Sequence, residues 1–214
     1  MLNKSKKVSK IFCFPGNAGT SLIAQNINLD PDNFSVLEEY CIKKEIKLLV
    51  VGPEKPLVNG IVNFFKRKSI KVFGPDKLSS KLEGSKIFTK KICQKNNIPT
   101  SKFKICESLK ETLDFLKRGN FPIVIKADGL ASGKGVYICK NFNDAKEASE
   151  EIFNGKFGYA KQILVEEFLE GEEMSYFIVT DGKNYKFFGS AQDHKRVGEG
   201  DKGKNTGGMG CYSP

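Results

Sequence analysis

The sequence predicts an α/β protein in two parts: an open parallel sheet with helices over residues 1–99, then a mixed α+β part over residues 100–214. Three observations lead there. In the first hundred residues, short apolar runs stopped by Gly or Pro alternate with segments of helical apolar spacing, the rhythm of parallel strands with crossover helices. After Pro99 the runs come in pairs joined by a glycine-rich loop or by Asp181-Gly182, the pattern of antiparallel hairpins. The charge balance changes at the same place: residues 1–100 hold 18 Lys and Arg against eight Asp and Glu, whereas residues 101–214 hold 17 of each.

Each element has its own signal. Residues 11–14 form a short apolar strand ended by Pro15-Gly16. Asp32 is predicted to cap a helix through Ile46, with Val36, Leu37, Tyr40 and Cys41 inward at helical spacing. Residues 48–51 read as a buried strand stopped by Gly52-Pro53, and Pro56 opens a second helix carrying Leu57, Ile61, Phe64 and Phe65. Residues 71–73 are a third strand, and one helix is predicted from Lys81 to Asn97. In the second part the pattern gives a helix over 109–116, strands over 123–127 and 136–139, and a helix capped by Asn143 or Asp144 and ending at Phe153. Strands over 163–167, 175–180 and 185–189 follow. From Ser190 onward the chain is polar and rich in glycine, with no core pattern of its own.

Composition excludes several classes. The chain has 214 residues with 39% hydrophobic content, enough for a real core. No apolar run approaches the ~18 residues of a membrane span. The lysine-rich start and the short apolar run after it do not make an export signal, so the cytoplasm is the expected compartment. Six cysteines without a CxxC spacing and a single histidine read as reduced thiols, not as a zinc site. The net charge of +10 suits an anionic partner, but only Arg67, Arg118 and Arg196 are arginine. Nucleic-acid surfaces rely on arginine for bidentate contacts, so nucleic acid is not the expected partner.

The sharpest local signal is Asp128-Gly129-Leu130-Ala131-Ser132-Gly133-Lys134-Gly135. It is not a Walker A loop: the glycine spacing is one residue short, Gly135 stands where the metal-binding hydroxyl belongs, and the loop runs into a strand. A tight turn would explain the small residues, but not Lys134 between two glycines, nor Lys126 inside an apolar strand. Small residues that let backbone N–H groups approach, together with two lysines, suit a flap over a polyphosphate. A buried Lys126 needs an anion beside it. Acids crowd a strand end at 165–173, as a solvated edge or as a hinge for a nucleoside. In the tail, 192–196 and 205–210 set polar groups around the only histidine, as an unstructured segment or as a site for small anions.

Together these residues resemble the glycinamide ribonucleotide synthetases of the ATP-grasp superfamily. The resemblance rests on 15–20, on 51–54 with Pro56-Leu57, on 82–86 with Phe88-Thr89-Lys90, on 123–136, on 192–198 and on 205–214, and it covers almost the whole chain. It implies the N-terminal substrate domain, then the small α+β subdomain and the start of the core of an ATP-grasp domain. It also implies an ATP-dependent ligase that joins glycine to 5-phosphoribosylamine in purine synthesis. By resemblance, Lys86 and Lys126 hold ATP phosphates, and Gly129, Leu130, Ala131, Ser132, Gly133, Lys134 and Gly135 form the flap. Glu166, Glu167, Phe168 and Leu169 form the adenine hinge, and Glu173 takes the ribose. Asp193, His194, Lys195, Arg196, Thr206, Gly207, Gly208, Met209 and Gly210 face glycine and the acyl phosphate. Gly16, Asn17, Ala18, Gly19, Thr20, Gly52, Pro53 and Glu54 frame the phosphoribosylamine. The partners implied are small molecules, with no nucleic acid and no membrane, and the complete enzyme is expected to be a monomer.

Against the family pattern, the first βα unit is missing before the lysine-rich start. The family's Mg²⁺-binding acid and asparagine would fall beyond Pro214. The expectation is therefore an incomplete chain with no metal ligands of its own. Two readings stand side by side: a ligase segment, and a non-catalytic nucleotide-binding remnant of an ATP-grasp protein.

Overall fold

The computed structural model describes residues 2–131, 134–200 and 202–213. It divides into two compact units, Met1–Gly84 and Ser85–Pro214.

In the first unit, β1 (Phe12–Cys13) pairs in parallel with β2 (Gln25–Asn26). Then come α1 (Phe34–Lys43), β3 (Leu48–Val50), α2 (Glu54–Asn59), α3 (Ile61–Phe65), β4 (Lys71–Phe73) and α4 (Lys81–Gly84). Strand β3 pairs in parallel with β4, so the pairing is parallel as the alternation predicts, in two sheets of two strands each. The core gathers Leu37 and Cys41 from α1, Leu49 from β3, Ile61 and Phe65 from α3, and Ile70. Phe12 and Phe14 both meet the ring of Tyr40 edge to face.

Three boundaries differ from the sequence expectation, each for a local reason. Asn33, not Asp32, caps α1 by accepting from Val36 N–H; Asp32 is engaged by Lys55 at 2.6 Å and by Asn59. The helix predicted from Pro56 starts at Glu54 and breaks at Gly60, whose φ of +97° ends α2 and begins α3. The helix predicted over 81–97 is two helices, because Ser85 is extended and caps the second of them. Strand β2 had no apolar signal; Gln25 N–H and Ile27 N–H bonding to Ile11 and Cys13 carbonyls hold it.

The second unit begins with α5 (Lys86–Lys95), followed by β5 (Phe103–Cys106), α6 (Leu109–Leu116), β6 (Ile123–Ala127), β7 (Val136–Cys139), α7 (Phe142–Phe153) and β8 (Ile163–Glu167). The four strands form one antiparallel sheet in the order β5-β8-β6-β7. Alternation along the strands sorts the two faces. Ile123, Ile125, Ala127, Ile163 and Val165 join Leu116 of α6 and Ala145, Ala148 and Ile152 of α7 in the core. The other face carries Val124, Lys126, Leu164 and Glu166. The rest of the unit is β9 (Ser175–Thr180), β10 (Tyr185–Asp193), β11 (Arg196–Gly198), β12 (Lys202–Asn205) and β13 (Cys211–Tyr212). Strands β9 and β13 flank β10, and β11 pairs with β12, all antiparallel.

The compact units divide at Gly84/Ser85, earlier than the expected boundary near Pro99. Helix α5 belongs to the second unit because Ser85, Ile87 and Lys90 bond to Asp128 and Glu166. Helix α7 is capped by Asn141, ahead of the expected Asn143 or Asp144; Asp144 accepts from Lys140 N–H instead. The polar tail forms strands although it buries little, because pairing β10 with β13 and β11 with β12 gives its backbone groups partners. Among the described residues no helix is long and apolar enough to cross a membrane, and Cys13, Cys41, Cys93, Cys106, Cys139 and Cys211 are all free thiols. Burial pushes the Cys139 thiol up to about 11.

Candidate functional site

The polar face of the four-stranded sheet builds the centre of the site. Lys126 on β6 and Glu166 on β8 meet side by side, Nζ to Oε2 at 3.1 Å. Glu166 is only 6% exposed, and the same Oε2 also meets Lys90 of α5 at 3.2 Å and accepts from Ser101 Oγ at 2.6 Å. Lys90 is equally enclosed: its ammonium donates to Thr100 Oγ1 at 2.7 Å and Ser101 Oγ at 2.6 Å, and lies over the Phe103 ring. Burial works to raise the Glu166 carboxyl; the Ser101 hydrogen bond with Lys126 and Lys90 outweighs it and holds the group below the usual carboxylate range. Two ammonium groups share one carboxylate oxygen, so this corner of the sheet carries excess positive charge. Lys126, 26% exposed, is the group that an incoming anion can reach.

The glycine-rich hairpin between β6 and β7 starts beside Lys126. Ala127 N–H donates to the Gly135 carbonyl at 2.8 Å, and Lys134 N–H to the Ala131 carbonyl at 2.9 Å. Gly129 has a φ of +98°, and a Cβ on Gly135 would stand 2.8 Å from that of Ala131. Close packing as well as turn geometry therefore requires these glycines. Ser132 and Gly133, expected in the flap, lie outside the described residues. Lys86 reaches the hairpin, its ammonium donating to the Gly129 carbonyl at 2.9 Å. The sequence gives Ser101 no signal, and it gives no role to Lys90 or Asp128, although Lys90 lies in one of the family motifs and Asp128 opens the glycine-rich loop. The signal that could have found Lys90 is its place four residues after Lys86, on the same face of a helix.

At the end of β8, Glu167 N–H donates to the Lys102 carbonyl, and its side chain accepts from Lys102 N–H at 2.7 Å. That side chain is thus committed to joining β8 to the start of β5. Phe168 and Leu169 follow directly, and Leu169 is exposed.

The tail residues gather into a second cluster. Thr206 ties the loop together: its N–H and hydroxyl both donate to the Lys195 carbonyl, and its Oγ1 accepts from Gly208 N–H. Met209 N–H donates to the His194 carbonyl, and His194 N–H to that of Gly210. The His194 ring stacks on Tyr212. Lys195 forms an ion pair with Glu173, and Asp193 lies 4.0 Å from the same ammonium. Arg196 pairs with Asn205 across β11 and β12, and Gly207 lies in the loop between Thr206 and Gly208. The structure thus brings Glu173, assigned by sequence to the nucleoside, against the motif assigned to the second substrate.

In the first unit, 16–20 follows β1 and 52–54 follows β3, both at the carboxyl ends of parallel strands, where α/β sheets bind ligands. Asn17 and Thr20 close their loop on themselves: Asn17 N–H donates to Thr20 Oγ1 at 2.8 Å, and Thr20 N–H to Asn17 Oδ1 at 3.0 Å. Ala18 accepts from the Ser21 hydroxyl, Gly16 (φ +83°) abuts Asn26, and Gly19 precedes a short 3-10 turn. Gly52 lies in open space, Pro53 sits at the N-cap of α2, and Glu54 opens that helix.

Among the described residues, no three carboxylate, thiol or imidazole groups come together to hold a metal ion.

Comparison with known proteins matches residues 1–83 to the phosphoribosylglycinamide synthetase N domain and residues 84–214 to the ATP-grasp (A) domain of the same family. Phosphoribosylamine–glycine ligase of Clostridium acetobutylicum is 45% identical over 99% of this chain and 51% of its own length. The chloroplastic ligase of Arabidopsis thaliana is 46% identical over 100% of this chain and 41% of its own. The crystal structure of the Thermotoga maritima ligase superposes with a TM-score of 0.78 at 32% identity, covering 98% of this chain and 51% of that one. A biotin carboxylase domain from Hydrogenobacter thermophilus shares the fold at a TM-score of 0.70 and 18% identity, over 87% of this chain and 45% of that one. The chain spans about half the length of the curated relatives it matches. Two family models that between them take in residues 1–214 leave one assignment: the chain belongs to the phosphoribosylglycinamide synthetase family.

Proposed function

We propose that this chain carries the ATP site of a ligase that joins glycine to 5-phosphoribosylamine, giving glycinamide ribonucleotide, ADP and phosphate. The observation that carries the reading is the buried cluster of Lys126, Glu166 and Lys90, with its excess positive charge, at the foot of a glycine-rich hairpin. A polyphosphate is the ligand that this combination suits: charge at the base, and close backbone approach above it.

The chemistry follows from the substrates. A glycine carboxylate oxygen attacks the γ-phosphorus of ATP; the bond to the β-phosphate oxygen breaks, and ADP leaves. The amine of phosphoribosylamine then attacks the glycyl carbonyl. A C–N bond forms, the C–O bond to phosphate breaks, and the amine gives up a proton. Phosphoryl transfer asks mainly for positioning and charge neutralisation. In this reading Lys126, Lys86 and the hairpin at 129–135 hold the phosphates. Glu166, Glu167, Phe168 and Leu169 flank the adenine, Glu167 through its backbone, and Glu173 takes the ribose from its ion pair with Lys195. The cluster at 193–196 and 206–210 faces glycine and the acyl phosphate, and the loops at 16–20 and 52–54 frame the phosphoribosylamine. The partners are then small molecules and not nucleic acid, the enzyme acts as a monomer, and the cytoplasm is its compartment.

Amide NMR of the labelled chain titrated with ADP tests the placement. The expected result is shifts concentrated at Lys126, in the hairpin and at Glu167 to Leu169. Saturating shifts confined to other regions, or none, would overturn it.

A further inference from the structure

We propose that Lys90 is a positioning residue for the nucleotide site: it stays on Glu166 as a fixed counter-charge, so that Lys126 can leave that carboxylate for the phosphate. The inference rests on the nucleotide reading above and adds a role for a residue that never touches the ligand.

Glu166 Oε2 is shared by two ammonium groups at nearly equal distances, 3.1 Å to Lys126 and 3.2 Å to Lys90. The two lysines are not equivalent. Lys90 is enclosed at 9% exposure, with its ammonium already spent on Thr100, Ser101 and Glu166. Lys126 has Glu166 as its partner and is 26% exposed. Among the described residues, the charged groups bonded to Glu166 are these two, one from α5 and one from β6; Ser101 adds a hydroxyl donor, and Phe103 and Val124 lie across from Glu166 on the neighbouring strands. An arriving phosphate competes with Glu166 for Lys126. With one lysine only, moving it would strand a buried carboxylate, which is costly. With Lys90 and Ser101 in place, Glu166 keeps a cation and a hydrogen bond, and Lys126 can transfer its contact to the ligand.

The consequence is a proton linkage that packing alone would not produce. In Lys90→Met, moving Lys126 to the phosphate leaves Glu166 with no cation, so it takes up a proton on binding. Nucleotide affinity in the variant should then gain a rise with falling pH that the wild type lacks, over and above the titration of the ligand's own terminal phosphate, which both proteins share. Calorimetric titration of ADP in buffers of different ionisation enthalpy counts the protons. Expected are roughly tenfold weaker binding by Lys90→Met at pH 8, with proton uptake, and loss of that uptake in Lys90→Met/Glu166→Gln. Wild-type affinity and pH profile in Lys90→Met would overturn the proposal, as would weaker binding without proton uptake. If the wild type binds no nucleotide, the reading of the site fails and this inference with it.

A second measurement needs no variant. Lysine side-chain NMR of the wild type with ADP should move the Lys126 signal and leave Lys90 in place. Equal movement of both would make Lys90 a direct ligand and overturn the positioning role.

Discussion

Asp128 and Ser85 join the glycine-rich hairpin to the start of α5: both carboxylate oxygens of Asp128 accept from Ser85 Oγ, at 3.0 and 2.9 Å. Asp128 also accepts from Ile87 N–H at 3.1 Å, while Ser85 Oγ caps the helix by accepting from Phe88 N–H. One hydroxyl thus caps the start of α5 and anchors the loop. Ser85→Ala should cost about 1–2 kcal/mol, the range for a lost cap, and should speed amide exchange in the first turn of α5. Stability within ~0.3 kcal/mol of wild type would remove the cap from the argument.

Gly135→Ala should strain the hairpin base. The new Cβ would stand 2.8 Å from Ala131 Cβ and 3.1 Å from Ala127 Cβ, and both neighbours are held by backbone bonds, Ala131 O by Lys134 N–H and Ala127 N–H by Gly135 O. Overpacking of this kind costs about 1–3 kcal/mol. Denaturant unfolding should show that loss, and ADP affinity should fall with it.

Glu166 should make stability depend on pH. Burial works to raise its carboxyl, but the Ser101 hydrogen bond and the two lysines lower it by more, so the folded value lies below the ordinary carboxylate range. A lowered carboxyl contributes fully above the unfolded value and loses that contribution as the pH falls through the folded one. Glu166→Gln also leaves two lysines facing each other, so at pH 7 it should lose ~3 kcal/mol or more. The gap to wild type should narrow below about pH 4.5. A constant gap from pH 7 to pH 3 would show that the ion pairing carries none of it.

Thr20→Val should loosen the loop after β1. The Thr20 hydroxyl accepts from Asn17 N–H at 2.8 Å and meets Asn26 Oδ1 at 2.7 Å. The groups left behind are exposed or half-buried and can turn to water, so the loss should be that of an ordinary hydrogen bond, about 0.5–1.5 kcal/mol. Thermal unfolding should fall accordingly, with no change in ADP affinity, because the loop lies in the first compact unit.

Much of the fold was legible because its signals are local. The strand Ile123–Ala127 and the helix Leu109–Leu116 match their apolar periods residue for residue. Breaks set by one residue were not legible: Gly60 and Ser85 split helices whose apolar spacing runs straight through them. Strand β5 was missed because Phe103-Lys104-Ile105-Cys106 is short, and its pairing with β8 is settled by residues sixty positions away in sequence terms (about that many). In the site, Lys126 stood out as a charge in an apolar strand. Lys90 did not, because a lysine on a helix reads as a solvated face until the tertiary fold encloses it.

Titration of ATP into wild type and Lys126→Ala, with unfolding curves for both, tests most directly that Lys126 meets the phosphates. Lys90 and Ser101 still hold Glu166 in the variant, so the fold should persist. The predicted result is an intact protein that loses about 1.5–3 kcal/mol of ATP binding, the worth of one charge-assisted contact. Equal affinity in the two folded proteins would contradict the assignment of this cluster to the nucleotide.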